Sequence, residues 1–147
     1  RITNLNDLIV EVLKLLRFEL QRKSIEFNTE FGEIPVLTVD PNKIKQVVIN
    51  LVMNAAHAMQ GQGKITVTTG INETGMLELQ VRDTGPGISP ELQEEVFAPF
   101  FTTKPEGEGT GLGLYICQNI IREHGGTISL ERQLGGGTLF RISLPVE

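Results

Sequence analysis

The chain has 147 residues, 39% of them hydrophobic, with no Trp, one Tyr and a formal net charge of −5. One domain spanning 1–147 is expected, with a core filled by aliphatic side chains. The acidic balance and the absence of any Lys/Arg cluster argue against a nucleic-acid partner, because phosphate contacts need clustered positive charge. Cys117 is the only cysteine, which excludes an internal disulfide and a zinc set and suits a reducing compartment. No apolar run is long enough to cross a bilayer and no signal peptide is evident, so direct membrane insertion is not expected. Because it opens at Arg1 without Met, the chain is expected to be a piece of a longer protein.

The first element in chain order is a helix over 4–22, with Leu5, Leu8, Ile9, Val12, Leu15 and Leu16 at helical spacing and Asn4 or Asn6 as its cap. Residues 25–31 alternate as a strand (Ile25, Phe27, Thr29, Phe31), and 36–39 form a second, short one. Asp40-Pro41 opens a second helix reaching Met59, with Asp as cap and Pro in the first turn, where its missing N–H does no harm. Its buried face is Ile44, Val47, Val48, Leu51, Val52, Ala55 and Met59. Alternation returns over 64–69 and 76–82, with a turn at 72–75. A short helix over 90–96 and an aperiodic loop over 98–109 follow. A third long helix over 111–124 ends at Gly125-Gly126, and strands at 127–132 and 138–144 close a hairpin through Gly135-Gly136-Gly137. The order predicts an α/β (α+β) two-layer sandwich: a mixed, mostly antiparallel sheet packed on three helices.

Several residues fit poorly as mere structure. Asn50 and Asn54 lie in the interior of the second helix, where Asn is disfavoured because its amide competes for nearby backbone groups. A spacing of four puts both on one face, in a stripe with Gln46 and His57. Such a stripe is usually a solvated polar face. The alternative is a pair of amide oxygens suited to a hard cation such as Mg²⁺, with phosphate oxygens and waters completing its shell.

Asp83 shares the face of Leu77, Leu79 and Val81, so its carboxylate is aimed at the core side and needs a partner. A strand-ending turn is one reading. A carboxylate at the floor of a pocket, accepting from a planar amine beside Gly85 and Gly87, is the other. The glycines of Gly109-Thr110-Gly111-Leu112-Gly113-Leu114 expose N–H groups at a helix N-terminus, which suits phosphate. No strand feeds straight into them and no Lys-Ser/Thr follows, so the run is neither a Rossmann fingerprint nor a Walker A loop. Lys104 is a candidate to reach a phosphate or else a solvated charge. Phe97, Phe100 and Phe101 are core residues or the anchor of a lid. Neither His57 nor His124 has the flanking Glu/Asp and Pro of a phosphoacceptor, and Cys117 is expected in the core.

It is the order of these motifs that carries specificity. The run NLVMNAA at 50–56 resembles the N box of the GHKL ATPase and kinase superfamily, and DTGPGI at 83–88 its first glycine box. FAPFFTTK at 97–104 resembles the F box of histidine kinases, GTGLGL at 109–114 the second glycine box, and GGGT at 135–138 the last glycine element. The resemblance runs over nearly the whole chain and implies a Bergerat-type ATP site in the catalytic domain of a bacterial sensor histidine kinase.

On that resemblance Asp83 binds the adenine amino group, and Gly85, Gly87 and Ile88 shape the base pocket. Asn50 coordinates Mg²⁺ and Asn54 lies near the phosphates. Gly109, Thr110, Gly111, Leu112, Gly113 and Leu114 wrap the phosphates with help from Lys104. Residues 98–109 form the ATP lid, and Thr138 sits near the adenine through water. His57 stands where many histidine kinases carry Lys or Arg, which weakens the charge on the phosphates. The FFTTK and NAAHAM lettering is similar to the nitrogen-sensor subgroup. The implied cofactors are ATP and Mg²⁺. The implied partners are a dimerisation and histidine-phosphotransfer domain of the same parent chain and a downstream response regulator receiver domain, at a cytoplasmic site.

Within the superfamily, the ATPases and the serine and anti-sigma kinases place a Glu four residues before the second Asn, as a general base. Here that position is Asn50, and an amide cannot take a proton. Phosphoryl transfer to a histidine supplied elsewhere is therefore expected, ahead of a self-contained ATPase or a catalytically silent nucleotide-binding module.

Overall fold

The computed structural model describes residues 1–59, 62–85, 97, 113–132 and 136–146. The expected short helix at 90–96 and the loop at 98–109 lie outside them. In chain order the elements are β1 (Ile2–Thr3), α1 (Leu5–Arg22), β2 (Ile25–Phe31), β3 (Leu37–Thr38), α2 (Pro41–Ala58), β4 (Gly63–Ile71), β5 (Leu77–Asp83), α3 (Gly113–Glu123), β6 (Thr127–Arg132) and β7 (Thr138–Leu144).

The main sheet has five strands in the order β2-β4-β5-β7-β6. β2 and β4 pair in parallel, Ile25 opposite Gly63, and a parallel pair needs a crossover, which α2 supplies. The remaining neighbours pair antiparallel: β4–β5 and β6–β7 are consecutive strands, and β7 returns to lie beside β5. α2 is the central helix, flanked by α1 and α3 and packed on β4 and β5. Among the described residues, a two-layer α/β sandwich with a mixed, mostly antiparallel sheet and three helices is thus the observed architecture.

Period-two alternation decides what each sheet face carries. Ile65 and Val67, then Leu77, Leu79 and Val81, then Phe140, Ile142 and Leu144 fill the side under the helices. The opposite side is polar, with Arg141 between Glu78 (Nε to Oε1, 3.2 Å) and Glu131. The same alternation carries three polar residues onto the buried face, Thr69 at one end and Asp83 and Thr138 at the other. Thr69 Oγ1 donates to Asn6 Oδ1 at 2.7 Å, and Asn6 Nδ2 donates to the Gly32 carbonyl at 3.0 Å. That end of the core is therefore closed by satisfied hydrogen bonds.

The helix caps follow their sequence signals. Asn4, not Asn6, caps α1, accepting the Asp7 N–H at 3.2 Å. Asp40 caps α2 through the N–H groups of Asn42 and Lys43, with Pro41 in the first turn. Between β4 and β5, Asn72 Oδ1 accepts from the N–H groups of Thr74 and Met76, and Gly75 takes φ +81°.

The structure corrects several expectations. The strand expected at 36–39 is Leu37–Thr38, and it pairs outside the main sheet with Ile2–Thr3, a strand the sequence did not suggest. Leu15 is 68% exposed, because Leu5, Leu8, Ile9, Val12 and Leu20 set the buried stripe of α1 and Leu15 falls off it. β4 is longer than the alternation at 64–69 suggested, running Gly63–Ile71. His124 Nε2 accepts the Asp40 N–H at 3.1 Å while Nδ1 faces the Ile120 carbonyl at 2.7 Å, so the ring ties the end of α3 to the cap of α2, a contact that spacing along the chain does not show.

Candidate functional site

Asp83 is the last residue of β5 and only 4% exposed. Its strand partner is Ile65 of β4, and Oδ1 accepts the Gly85 N–H at 2.8 Å. Burial raises the carboxyl pKa above its ordinary value, while the backbone N–H groups of Gly85 and Thr138 pull it down. Desolvation is the larger cause. A carboxylate placed against an apolar core and held by backbone donors is pre-organised to accept one further hydrogen bond.

Close packing of backbone surrounds Asp83. Gly137 has φ +98°, and a Cβ there would collide with the Asp83 carbonyl oxygen. Thr138, 3% exposed, follows directly and lies on the same buried face. A Cβ at Gly85 would meet Asp83 Oδ1 at 3.1 Å, Met59 Cγ at 3.2 Å and the Ala58 carbonyl at 3.4 Å. The last turn of α2 therefore sits against the start of the turn after β5. Thr84 Oγ1 accepts the Lys64 N–H at 3.0 Å and lies 3.6 Å from Met59 Sδ. Met59 and Thr84 are wall residues that sequence reasoning missed as site residues. Met59 was legible only as part of the buried helix face, and Thr84 only as a turn letter.

Changing Gly137 to Ala is expected to destabilise the fold by about 1–3 kcal/mol from backbone strain alone. For a chain of this size that is a fall of about 2–12 °C in melting temperature, checked by thermal unfolding. A melt unchanged within about 1 °C would show that β7 does not need this contact.

A second cluster lies further back along α2. Asn50 and Asn54 are both half-buried, whereas Gln46 and His57 are exposed. The expected stripe is therefore divided, with only its central amides drawn towards the interior. Asn50 Nδ2 donates to Cys117 Sγ at 3.7 Å, and a Cβ added at Gly113 would lie 4.0 Å from Asn50 Cγ. The first residue of α3 thus approaches Asn50. Leu114, the next, packs partly buried against the core. Cys117 is buried as expected, its thiol pushed up to about 11 by desolvation, which keeps it protonated and unreactive. Phe97 packs on the core, edge-to-face with Phe140 at 6.4 Å between ring centroids.

Lys104, Gly87, Ile88, Gly109, Thr110, Gly111 and Leu112 lie outside the described residues. Among the described residues no group of three or more His, Cys, Asp and Glu side chains could hold a metal ion. No helix among them is long and apolar enough to cross a membrane.

Residues 39–147 match the family described as histidine kinase-, DNA gyrase B- and HSP90-like ATPases. The chain belongs to this family. It is similar to the sensor histidine kinase ZraS of Salmonella typhi, 42% identical over 144 residues, covering 97% of this chain and 30% of ZraS. It therefore spans under a third of that relative. Among solved structures it resembles the nucleotide-free catalytic domain of histidine kinase ThkA, with a TM-score of 0.87, 41% identity and coverage of 99% of this chain and 96% of that one. It also resembles ThkA in complex with response regulator protein TrrA, with a TM-score of 0.84 and 39% identity over 99% of this chain and 41% of that one. The fold is the Bergerat ATP-binding fold of histidine kinase catalytic domains, and ATP is the nucleotide of the family.

Proposed function

We propose that this domain binds Mg-ATP and donates the γ-phosphoryl group to a phosphoacceptor histidine on a separate dimerisation domain of a two-component sensor kinase. The observation that carries the proposal is the pairing of two sites along one helix. Gly85, beside Asp83, packs on Ala58 and Met59 at the end of α2, and Gly113 approaches Asn50, eight residues earlier. Eight residues of helix span about 12 Å. That is the scale of an extended nucleoside triphosphate, with adenine at Asp83 and phosphates at Asn50.

At the adenine end, Asp83 accepts the exocyclic amine, with Gly85, Gly87 and Ile88 forming the wall and Thr138 reaching the ring through water. At the phosphate end, Gly109, Thr110, Gly111, Leu112, Gly113 and Leu114 turn backbone N–H groups towards the anion at the start of α3. Lys104 adds positive charge, residues 98–109 cover the nucleotide, and His57 contributes a weaker donor. Asn54 lies beside the phosphates.

The donor set suits a hard cation only when phosphate oxygens share the shell, since Asn50 offers a neutral amide oxygen. Asn50 Nδ2 is engaged by Cys117 Sγ, and among the described residues none donates to Oδ1. When bound, Mg²⁺ neutralises charge developing on the phosphates. Asn50 and Asn54 hold position and supply no base, because an amide cannot take a proton. The nucleophile therefore comes from another domain, and a neutral imidazole needs no base within this one. A receiver domain is the expected next acceptor, which the complex of ThkA with a response regulator supports. The site of action is cytoplasmic.

Titration of ADP and a non-hydrolysable ATP analogue into the domain, together with a phosphate-release assay on Mg-ATP, tests this function. Binding without appreciable phosphate release is expected. No binding by a folded domain, or steady hydrolysis by the domain alone, would refute it.

A further inference from the structure

Where α2 meets α3, an aliphatic side chain would be the ordinary filling, and the protein has Cys117. Its sulfur lies 3.9 Å from the Val47 carbonyl oxygen and 3.7 Å from Asn50 Nδ2. The S–H has one good acceptor within reach, Val47, one turn before Asn50 on the same helix. With the hydrogen directed there, the sulfur presents lone pairs to Asn50. Lone pairs attract the amide NH₂ and repel the amide oxygen. The two orientations of the Asn50 amide, nearly equivalent against hydrocarbon, then differ in energy.

We propose that Cys117 is a positioning residue for Asn50: its sulfur accepts the Asn50 NH₂, and this turns Oδ1 out of the helix interface towards the start of α3. The proposal rests on the assignment of Asn50 as the amide that meets Mg²⁺. In that frame Cys117 touches neither nucleotide nor metal. It acts by removing the unproductive rotamer, in which NH₂ would face the cation and the metal-bearing state would need a 180° amide turn. Gly113, the first residue of α3, lies close to the same amide, a Cβ added there coming to 4.0 Å from Asn50 Cγ.

The test is calorimetric titration of ADP, with and without Mg²⁺, into the native domain, Cys117→Val, Cys117→Ala and Asn50→Ala, each first shown to be folded by thermal melt. The quantity compared is the factor by which Mg²⁺ raises ADP affinity. That factor is expected to fall about two- to fivefold in Cys117→Val and Cys117→Ala, the range of one weak net hydrogen bond. Affinity without Mg²⁺ should be the same in Cys117→Val and Cys117→Ala as in the native domain, which a general packing defect would not leave unchanged. Asn50→Ala separates the two ideas. If it keeps the full Mg²⁺ effect, the assignment of Asn50 fails and the proposal with it. If it loses the effect while Cys117→Val and Cys117→Ala keep theirs, the positioning role alone is overturned.

Discussion

Replacing Asp83 with Asn lowers ADP affinity by about 10- to 150-fold, matching the ~1.5–3 kcal/mol of a hydrogen bond to a charged group. The carboxylate has two oxygens. Oδ1 holds the Gly85 N–H at 2.8 Å and the Thr138 N–H also donates to the carboxylate, which still has lone pairs to accept the adenine amine. Asn has one oxygen, which the Gly85 N–H retains, and its NH₂ then faces the amine of the base, donor against donor. The loss is read by calorimetry and should appear with and without Mg²⁺, since the adenine end lies far from the metal. Affinity within about twofold of native would remove Asp83 from the base pocket.

The same substitution separates two pH dependences. Burial raises the folded-state pKa of Asp83 above its unfolded value. The stability linked to its proton is fully present below the unfolded pKa and is lost as pH rises through the folded one. Ionising Asp83 is thus less favourable in the nucleotide-free fold than in the unfolded chain. Binding has the opposite sign, because only the ionised carboxylate accepts freely at both oxygens. As pH falls through the raised pKa, native affinity should drop towards that of Asp83→Asn. Curves that stay parallel down to acid would show that the charge of Asp83 is not what binds.

Asn50→Ala is expected to lower the rate of phosphoryl transfer by about 10²–10³, the scale seen when one pre-organised group facing transition-state charge is removed. Mg²⁺-free ADP affinity should stay within about twofold of native, since Asn50 contributes to the phosphate end only through the cation. The fold should tolerate the change, because Asn50 is half-buried and its side chain's bond among the described residues is the weak contact to Cys117. Transfer kinetics against Mg²⁺ concentration check this. An unchanged rate would mean that another residue meets the cation.

Much of this site was legible because its residues break local rules. Asn50 and Asn54 interrupt a good helix, and Asp83 continues an apolar alternation onto the buried face, where the structure has it 4% exposed. Period two and helical spacing were enough to find both without a partner residue. What escaped depends on contacts between distant segments. Ile2–Thr3 and Leu37–Thr38 are too short to show a period, and only their pairing makes them strands. The Met59 thioether under Gly85 and the His124 ring on the Asp40 N–H are likewise set by how helix ends meet neighbours. Leu15 looked like core because it is apolar near the stripe, yet the rotation of α1 on α2 and β2 turns it outward.

The most direct test of phosphotransfer is to incubate the domain with γ-labelled ATP and Mg²⁺, with and without a histidine-bearing dimerisation domain of its parent protein. Label is predicted on that domain alone, in an acid-labile and alkali-stable linkage, with little free phosphate in its absence. Free phosphate released at the same rate in both cases, with no labelled protein, would contradict the account and make the domain an ATPase.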